Sequence, residues 1–259
     1  MLFKLLKYDF RAMWKQFALI WGAALALALV NRFSIFLNAD GHETHFRSAS
    51  LSAVPVFAFT AALIAMFVIS VIFVIQRFSK GLLGDEGYLM HTLPVRPWEL
   101  VASKLICGIV TWVLSGMVAL LSPVLMIPLN LPDLLQFPWV KLLLGILKHP
   151  DTILLMMGFC LLVISSIALF ISVMYLSIAI GHLVSRHRKL ICTAAFIGLY
   201  IVLLNFYARI SSIALVRWLM DLNTTGAGAM FKCSAFVLVP ALALLAAVCW
   251  ILENKLNLE

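Results

Sequence analysis

Long stretches without a charged side chain recur along the chain and alternate with short polar segments. Most of the six stretches approach or exceed the roughly 20 residues that a helix needs to cross the hydrocarbon core of a membrane. Apolar and polar residues do not alternate within them, which argues against a transmembrane β-barrel. The pattern therefore predicts an all-α membrane protein with six transmembrane helices in one domain, residues 1–259. The six stretches are 16–31, 51–76, 105–132, 152–185, 190–208 and 233–252.

Two of these stretches have unusual lengths. The first is short, and we expect it to continue past Arg32, whose side chain would reach toward the interface. The fourth is too long for one crossing, so it should tilt strongly or project into the cytoplasm. A cleaved signal peptide is an alternative for the first stretch, but five more spans follow, and we interpret it as a retained span.

The first 15 residues have the pattern of an amphipathic helix. One face is apolar, and the basic residues lie mostly on the others. Such a segment is typical of a helix that lies in the membrane interface before the first span. The alternative is that these residues are merely the charged N-terminal end of that span. The apolar face consists of Leu2, Leu6, Phe10 and Met13.

Composition supports the membrane class and suggests an orientation. The chain is 64% hydrophobic and 12% charged, with a mean hydropathy of +1.10. Lys and Arg are more frequent in the segments that are inside when the N-terminus is inside, so both termini are expected in the cytoplasm. The net charge of +8 is then mostly a membrane-surface property, and nothing in the pattern suggests nucleic acid.

Motifs for metal binding and catalysis are missing from the sequence. The five cysteines form no Cys-x-x-Cys pair, and His42 and His45 have no third ligand nearby, so neither a disulfide framework nor a metal site is expected. The chain contains no P-loop, no His-Glu-x-x-His and no Gly-x-Ser-x-Gly. We therefore expect neither an enzyme nor a cofactor held by this chain.

Charged residues are also missing from the interior of the six stretches. Ion-coupled carriers usually place such groups near the middle of the membrane. A secondary carrier is therefore disfavoured but stays open, because backbone and hydroxyl oxygens also bind Na⁺.

Small residues repeat at helical spacing within the spans. Gly158, Ser165 and Ser172 lie seven residues apart on the fourth span, and Gly22 with Ala26 forms a small-xxx-small pair on the first. Small side chains let helix backbones approach closely in lipid, so helix packing is the predicted role. A role of the serines in lining a substrate path is the alternative.

Turn-forming and charged residues gather in the connection between the second and third spans, residues 77–104. Asp85 and Glu86 suit the first turn of a short helix, and Pro94 ends it by restricting Leu93. A helix of about seven residues does not persist alone in water. Its apolar side chains either dock into a groove on a soluble partner or form an interfacial turn against lipid, and the physical argument leaves both open.

A family resemblance decides between these two alternatives. The segment RFSKGLLGDEGYLMHTLPVRPWELVASKLI, residues 77–106, resembles the first cytoplasmic loop of type-2 ABC exporter permeases, especially small bacterial ones. The resemblance suggests relatives such as the phenol-soluble modulin exporters, which export peptides and antimicrobial peptides. Outside this segment the chain is similar to the family in its organisation alone: an interfacial helix, six spans and cytoplasmic termini.

The resemblance implies a permease subunit in a bacterial cytoplasmic membrane. It would pair with a second, identical or homologous permease and with two cytoplasmic ABC ATPase subunits, which carry ATP and Mg²⁺. Residues 85–93 would be the coupling helix, and an amphipathic peptide, drug or lipid-like molecule would be the cargo. A non-transporting sensor or immunity protein is a further alternative. The implied ATPase contacts are Tyr88, Leu89, Met90 and Leu93 for docking, with Asp85 and Glu86 pairing with basic groups.

Overall fold

Every secondary-structure element in the described part of the chain is an α-helix. The predicted all-α class is therefore confirmed there. The computed structural model describes residues 2–39, 45–83, 97–126, 150–184, 187–211 and 226–254. The helices are α1 Leu2–Ala39, α2 His45–Leu83, α3 Pro97–Met126, α4 Pro150–His182, α5 Arg188–Ser211 and α6 Gly226–Asn254.

Five of these helices, α2 to α6, are long and apolar enough to cross a membrane. Helix α1 bends by 40° between its parts Leu6–Lys15 and Phe17–Phe33, and it adds a sixth span if the two parts are taken together. A multi-pass membrane protein follows from the five helices, whereas the sixth span stays a prediction.

The N-terminal part of α1 packs on the bundle through its predicted apolar face. Met13 and Phe17 are 2% and 1% exposed, and they form a cluster with Cys107 of α3. The Phe17 ring meets the Phe73 ring of α2 edge-on, with centroids 5.0 Å apart. Protein side chains therefore cover much of this face. The placement of residues 1–15 in the membrane interface stays a prediction.

The largest buried cluster lies at one end of the bundle. It combines the C-terminal ends of α2, α4 and α6 with the N-terminal end of α3, and residues 171–179 of α4 are buried without a break. Phe78 and Tyr175 stack at its centre, with ring centroids 4.1 Å apart and planes 13° apart. The helix ends on either side of residues 84–96 are thus part of the best-packed region.

Helices α4 and α6 approach each other closely at Gly158. A Cβ atom placed on Gly158 would lie 2.8 Å from the Cβ of Met230 and 3.4 Å from the carbonyl oxygen of Ala227. Because real Cβ atoms do not approach this closely, any side chain at this position must push the two helices apart. Glycine at position 158 therefore sets the distance between α4 and α6.

We expect Gly158→Ala to lower the free energy of unfolding by about 1–3 kcal/mol, because overpacking a close helix contact costs that much. Gly198→Ala on α5 is the matched control, since a Cβ there meets nothing within 4 Å. The control should be neutral or gain up to about 1 kcal/mol from better helix propensity. Unfolding in mixed detergent micelles measures both variants. Equal stability of the two variants would contradict the close contact.

Candidate functional site

Three charged side chains meet inside the bundle, next to the ends of the helices that flank residues 84–96. Asp9 comes from α1, Arg77 from α2 and Lys104 from α3. Lys104 Nζ donates to both carboxylate oxygens of Asp9, at 2.8 and 2.9 Å, and Arg77 Nη2 donates to Asp9 Oδ1. We call these three residues the ion triad.

The ion triad is withdrawn from solvent. Asp9 and Lys104 are 2% and 3% exposed, and the side chain of Arg77 is 26% exposed. One carboxylate faces two cations, so the triad carries a net charge of +1. Removing charges from water costs several kcal/mol per ion, and this cost is offset only when each charge keeps its partners. Asp9 is therefore the residue on which the pairing of both cations depends.

Helical periodicity explains why each member of the triad points inward. Asp9 precedes the buried Met13 and Phe17 at intervals of four residues, so it lies on the packing face of α1. Lys104 lies between the buried Leu100 and Gly108 on one face of α3. The apolar surroundings are thus a consequence of the same stripes that join the helices.

The Lys104 side chain passes close to Gly81 of α2. A Cβ atom on Gly81 would lie 3.6 Å from Cε and 3.8 Å from Nζ of Lys104. Gly81 is buried near the end of α2, four residues after Arg77. The lysine therefore lies beside α2, and Arg77 of α2 shares the same carboxylate. Through the triad, α1 is joined to the two helices that lead into and out of residues 84–96.

Arg77 retains unused hydrogen-bonding capacity. Its Nε is buried and has no hydrogen-bond partner in the structure. The neighbouring Lys80 is exposed on the same end of α2. Arg77 and Lys80 are three residues apart on α2, so the solvent-accessible surface beside the triad is basic.

The residues that the sequence predicts to contact an ATPase lie outside the described residues. This applies to the whole predicted coupling helix, so its formation and its contacts stay predictions. The helices on either side of it are described, and they end at Leu83 and begin at Pro97. The residues concerned are Asp85, Glu86, Tyr88, Leu89, Met90 and Leu93.

The small residues predicted to pack fall into two groups. Gly158, Ser165 and Ser172 are buried, and both serine hydroxyls donate to carbonyls of their own helix, at 2.7 and 2.6 Å. Gly22 and Ala26 lie on an exposed face of α1, and a Cβ on Gly22 would meet nothing within 4 Å. Within one chain the first group faces protein and the second faces outward, and their roles in helix association stay predictions.

A second feature, which we call the α2–α4 cavity, lies farther along the same helices. It has a volume of about 600 Å³ and is partly open to the outside. Residues 63–70 of α2, 112–120 of α3 and 159–167 of α4 contribute to its wall, and no lining residue is charged. It begins about two helical turns from Arg77 along α2.

No group of three His, Cys, Asp or Glu side chains in the described ranges is arranged to hold a metal ion. All five cysteines are described, and each is a free thiol. Comparison with protein-family models, curated proteins and solved structures gives no match for this chain. The resemblance of residues 77–106 to type-2 exporter permeases therefore rests on the sequence of that segment.

The ion triad was not predicted from the sequence. No pattern in the sequence singles out Asp9, and Arg77 and Lys104 are only the two ends of the predicted connection 77–104. The available signal was one acid in the otherwise basic N-terminal helix, in register with Met13 and Phe17. An acid on an apolar helix face needs a cationic partner when buried, and this requirement points to lysines and arginines at the ends of neighbouring spans.

Proposed function

We propose that this chain is the transmembrane permease subunit of an ATP-binding-cassette exporter. With a second permease it forms the path for an amphipathic peptide, drug or lipid-like molecule. Separate ATPase subunits bind ATP and Mg²⁺ and supply the energy. The exporter-like segment 77–106 supports the proposal. The structural observation on which it depends is the ion triad, which joins the two helices that flank residues 84–96.

The triad gives the proposed coupling a mechanical basis. An exporter must transmit a displacement of its cytoplasmic loop to the spans that form the path. Here the helices before and after the loop share one buried carboxylate with α1. Separating Asp9 from Lys104 would leave buried charges unpaired, and Arg77 joins α2 to the same carboxylate, so a force on residues 84–96 moves the ends of α1, α2 and α3 together. The apolar cluster around Phe78 and Tyr175 extends this rigid region to α4.

The same proposal includes an orientation. The Lys and Arg distribution favours a cytoplasmic location for both termini and for residues 84–96. The triad and its exposed basic neighbours then lie on the cytoplasmic side of a bacterial cell membrane. The α2–α4 cavity lies in the outer part of the spans.

A secondary carrier is the second candidate, and the observation that favours it is the burial of Asp9. Ionisable groups within membrane helices often mark ion or proton pathways. In reconstituted vesicles a carrier would move its substrate when an ion gradient is applied without any ATPase. Transport that needs an ATPase and ATP, and that persists without an ion gradient, would exclude this candidate.

The experiment that tests the exporter proposal is purification from the native membrane in mild detergent, followed by an ATPase assay. We expect the wild-type chain to co-purify with an ATPase. Leu89→Arg should reduce the co-purified activity by at least about thirtyfold, which corresponds to the loss of a binding hot spot of about 2 kcal/mol. A charged side chain cannot enter an apolar groove without losing its hydration.

Leu190→Arg is the matched control for this substitution. Leu190 is 69% exposed at the start of α5 and lies on the same predicted side of the membrane. The control should retain the co-purified ATPase. Retention in both variants would remove the docking role of Leu89, and absence of an ATPase from the wild type would overturn the exporter proposal. An ATPase that binds while no substrate moves would indicate a sensor or immunity protein.

A further inference from the structure

The wall of the α2–α4 cavity is mostly apolar and aromatic. Its larger side chains are Met66 and Phe67 of α2, Trp112 of α3 and Phe159 of α4. A volume of about 600 Å³ lies within the range of about 300–1,000 Å³ that is typical of ligand sites. The few polar groups of this wall offer water little hydrogen bonding, which favours an apolar occupant.

The polar groups at this wall are the hydroxyls of Ser70 and Ser115 and the buried indole N–H of Trp112, which has no hydrogen-bond partner in the structure. Ser115 is 7% exposed, and its Oγ accepts a hydrogen bond of 3.0 Å from the indole N–H of Trp21 on α1. The hydroxyl hydrogen of Ser115 has no acceptor among the described residues, whereas that of Ser70 is already donated to the carbonyl of Met66 at 2.7 Å. Ser115 is therefore a donor held in place by α1 and available to a group in the cavity.

These features define the chemistry of an occupant. No charged side chain lines the wall, so a charged group would have no partner inside the cavity. A long apolar chain would contact the Met, Phe and Trp side chains, and a carbonyl oxygen would accept the hydrogen bond of Ser115. The cavity is partly open and lies between helices that are long and apolar enough to cross a membrane, which gives such a molecule a route from the hydrocarbon core.

We propose that the α2–α4 cavity binds the acyl chain of an uncharged, lipid-like molecule, with its ester or amide carbonyl on Ser115. This inference rests on the proposed function in one respect, since it assigns the cargo to acylated or lipid-like compounds. Trp21 is a positioning residue because it orients the Ser115 hydroxyl. The triad lies about two turns away along α2, so a displacement at residues 84–96 reaches the helices that hold the molecule.

The test is photo-crosslinking of the purified chain in nanodiscs of ether-linked phosphatidylcholine. The probe is a monoacylglycerol with a diazirine in its acyl chain, and the labelled peptides are mapped by mass spectrometry. We expect labelling to concentrate on residues 63–70, 112–120 and 159–167 and to be displaced by unlabelled monoacylglycerol. Labelling that is equal on all helices and is not displaced would show contact with bulk lipid alone and would overturn the proposal.

Gly116→Phe is the variant that fills the cavity. Gly116 lines it, and a Cβ there meets nothing within 4 Å, so the new ring enters open space without displacing protein. We expect cavity labelling to fall by at least about tenfold, the factor that corresponds to 1.4 kcal/mol of binding. Gly198→Phe on α5 is the matched control, because that site is equally open and lies outside the cavity. Equal labelling of both variants would overturn the proposal.

Ser115→Ala tests the carbonyl contact separately. It should weaken competition by monoacylglycerol about three- to tenfold, the effect of one hydrogen bond, and leave competition by a hydrocarbon of equal chain length unchanged. An equal loss for both competitors would contradict the carbonyl contact. If Gly116→Phe instead abolishes crosslinks between two copies of the chain, the occupant is a helix of a second copy and the lipid assignment is wrong.

The binding assay contains no ATPase, so its result is independent of the exporter proposal. Specific labelling without any co-purifying ATPase would keep the binding site and remove the exporter. An ATPase that binds at residues 84–96 without specific labelling of the cavity would keep the exporter and remove this assignment.

Discussion

Replacement of Asp9 by alanine is expected to lower the free energy of unfolding by about 3–5 kcal/mol, because it leaves the buried Lys104 and the partly exposed Arg77 without their counter-ion. Lys104 loses both of its carboxylate contacts, and Arg77 loses the contact through Nη2. With Lys104 3% exposed, its ammonium group cannot recover hydration without separation of the helices. Unfolding by sodium dodecyl sulfate in mixed micelles, followed by circular dichroism, measures the change.

Two further variants separate the unpaired charges from the loss of contact area. Asp151→Ala removes an exposed acid from the first turn of α4, and it should cost less than about 1 kcal/mol. The triple variant Asp9→Leu, Arg77→Met, Lys104→Met replaces the triad by apolar groups, and it should recover most of the loss. If Asp9→Ala costs no more than Asp151→Ala, the triad does not hold α1 to the bundle.

The sequence predicted the position of the helices better than their ends. The stretch 51–76 locates the second span, but the helix extends from His45 to Leu83. A run of uncharged residues indicates only the part of a helix that is apolar enough to lie in the hydrocarbon core. The helix itself continues beyond that part where polar residues find partners. Arg77 has such a partner in Asp9, and the backbone remains helical past it.

Hydrophobicity could not predict which face of each span is buried. Ile171 of α4 is fully buried, whereas Leu204 of α5 is 53% exposed, although both belong to uniformly apolar stretches. In a membrane, lipid and protein interior are equally apolar, so an apolar stripe does not mark the packed face. Small residues carry more of that information, as the close contact of Gly158 with Met230 shows.

The ion triad required information that no local pattern contains. Asp9 is 68 residues from Arg77 and 95 residues from Lys104 along the chain. Each cation on its own has the ordinary pattern of a charge at the end of a span. Only the packing of α1 across α2 and α3 converts these interfacial charges into a buried group, and packing of α1 depends on the stripe that Met13 and Phe17 complete.

The triad and the α2–α4 cavity lie at different positions along the same two helices, α2 and α3. The end with the triad is closely packed, whereas the cavity separates α2, α3 and α4 farther along. Because the packed end moves as one unit, a displacement applied there changes the separation of α2, α3 and α4 around the cavity. The stability of the rigid end is therefore central to the proposed coupling.

Phe78→Ala is expected to lower the free energy of unfolding by about 3–5 kcal/mol, since it removes a fully buried ring from the packed end of the bundle. The Phe78 ring stacks on Tyr175 at 4.1 Å, and the space left behind is bounded by helices that the triad holds in place. A site that cannot collapse keeps its cavity and bears the full loss of contacts.

The matched control is Phe57→Ala, the same substitution on the same helix at a position that is 73% exposed. It removes lipid-facing surface, so its effect should stay below about 1 kcal/mol in the same micelle titration. The two phenylalanines lie 21 residues apart on α2, which makes the comparison a direct measure of the difference between the packed end and the outer part of one span. If the two variants are equally stable, the bundle is not held together at the helix ends that flank residues 84–96. The proposed mechanical coupling between the triad and the α2–α4 cavity would then be wrong, whatever the binding experiments show.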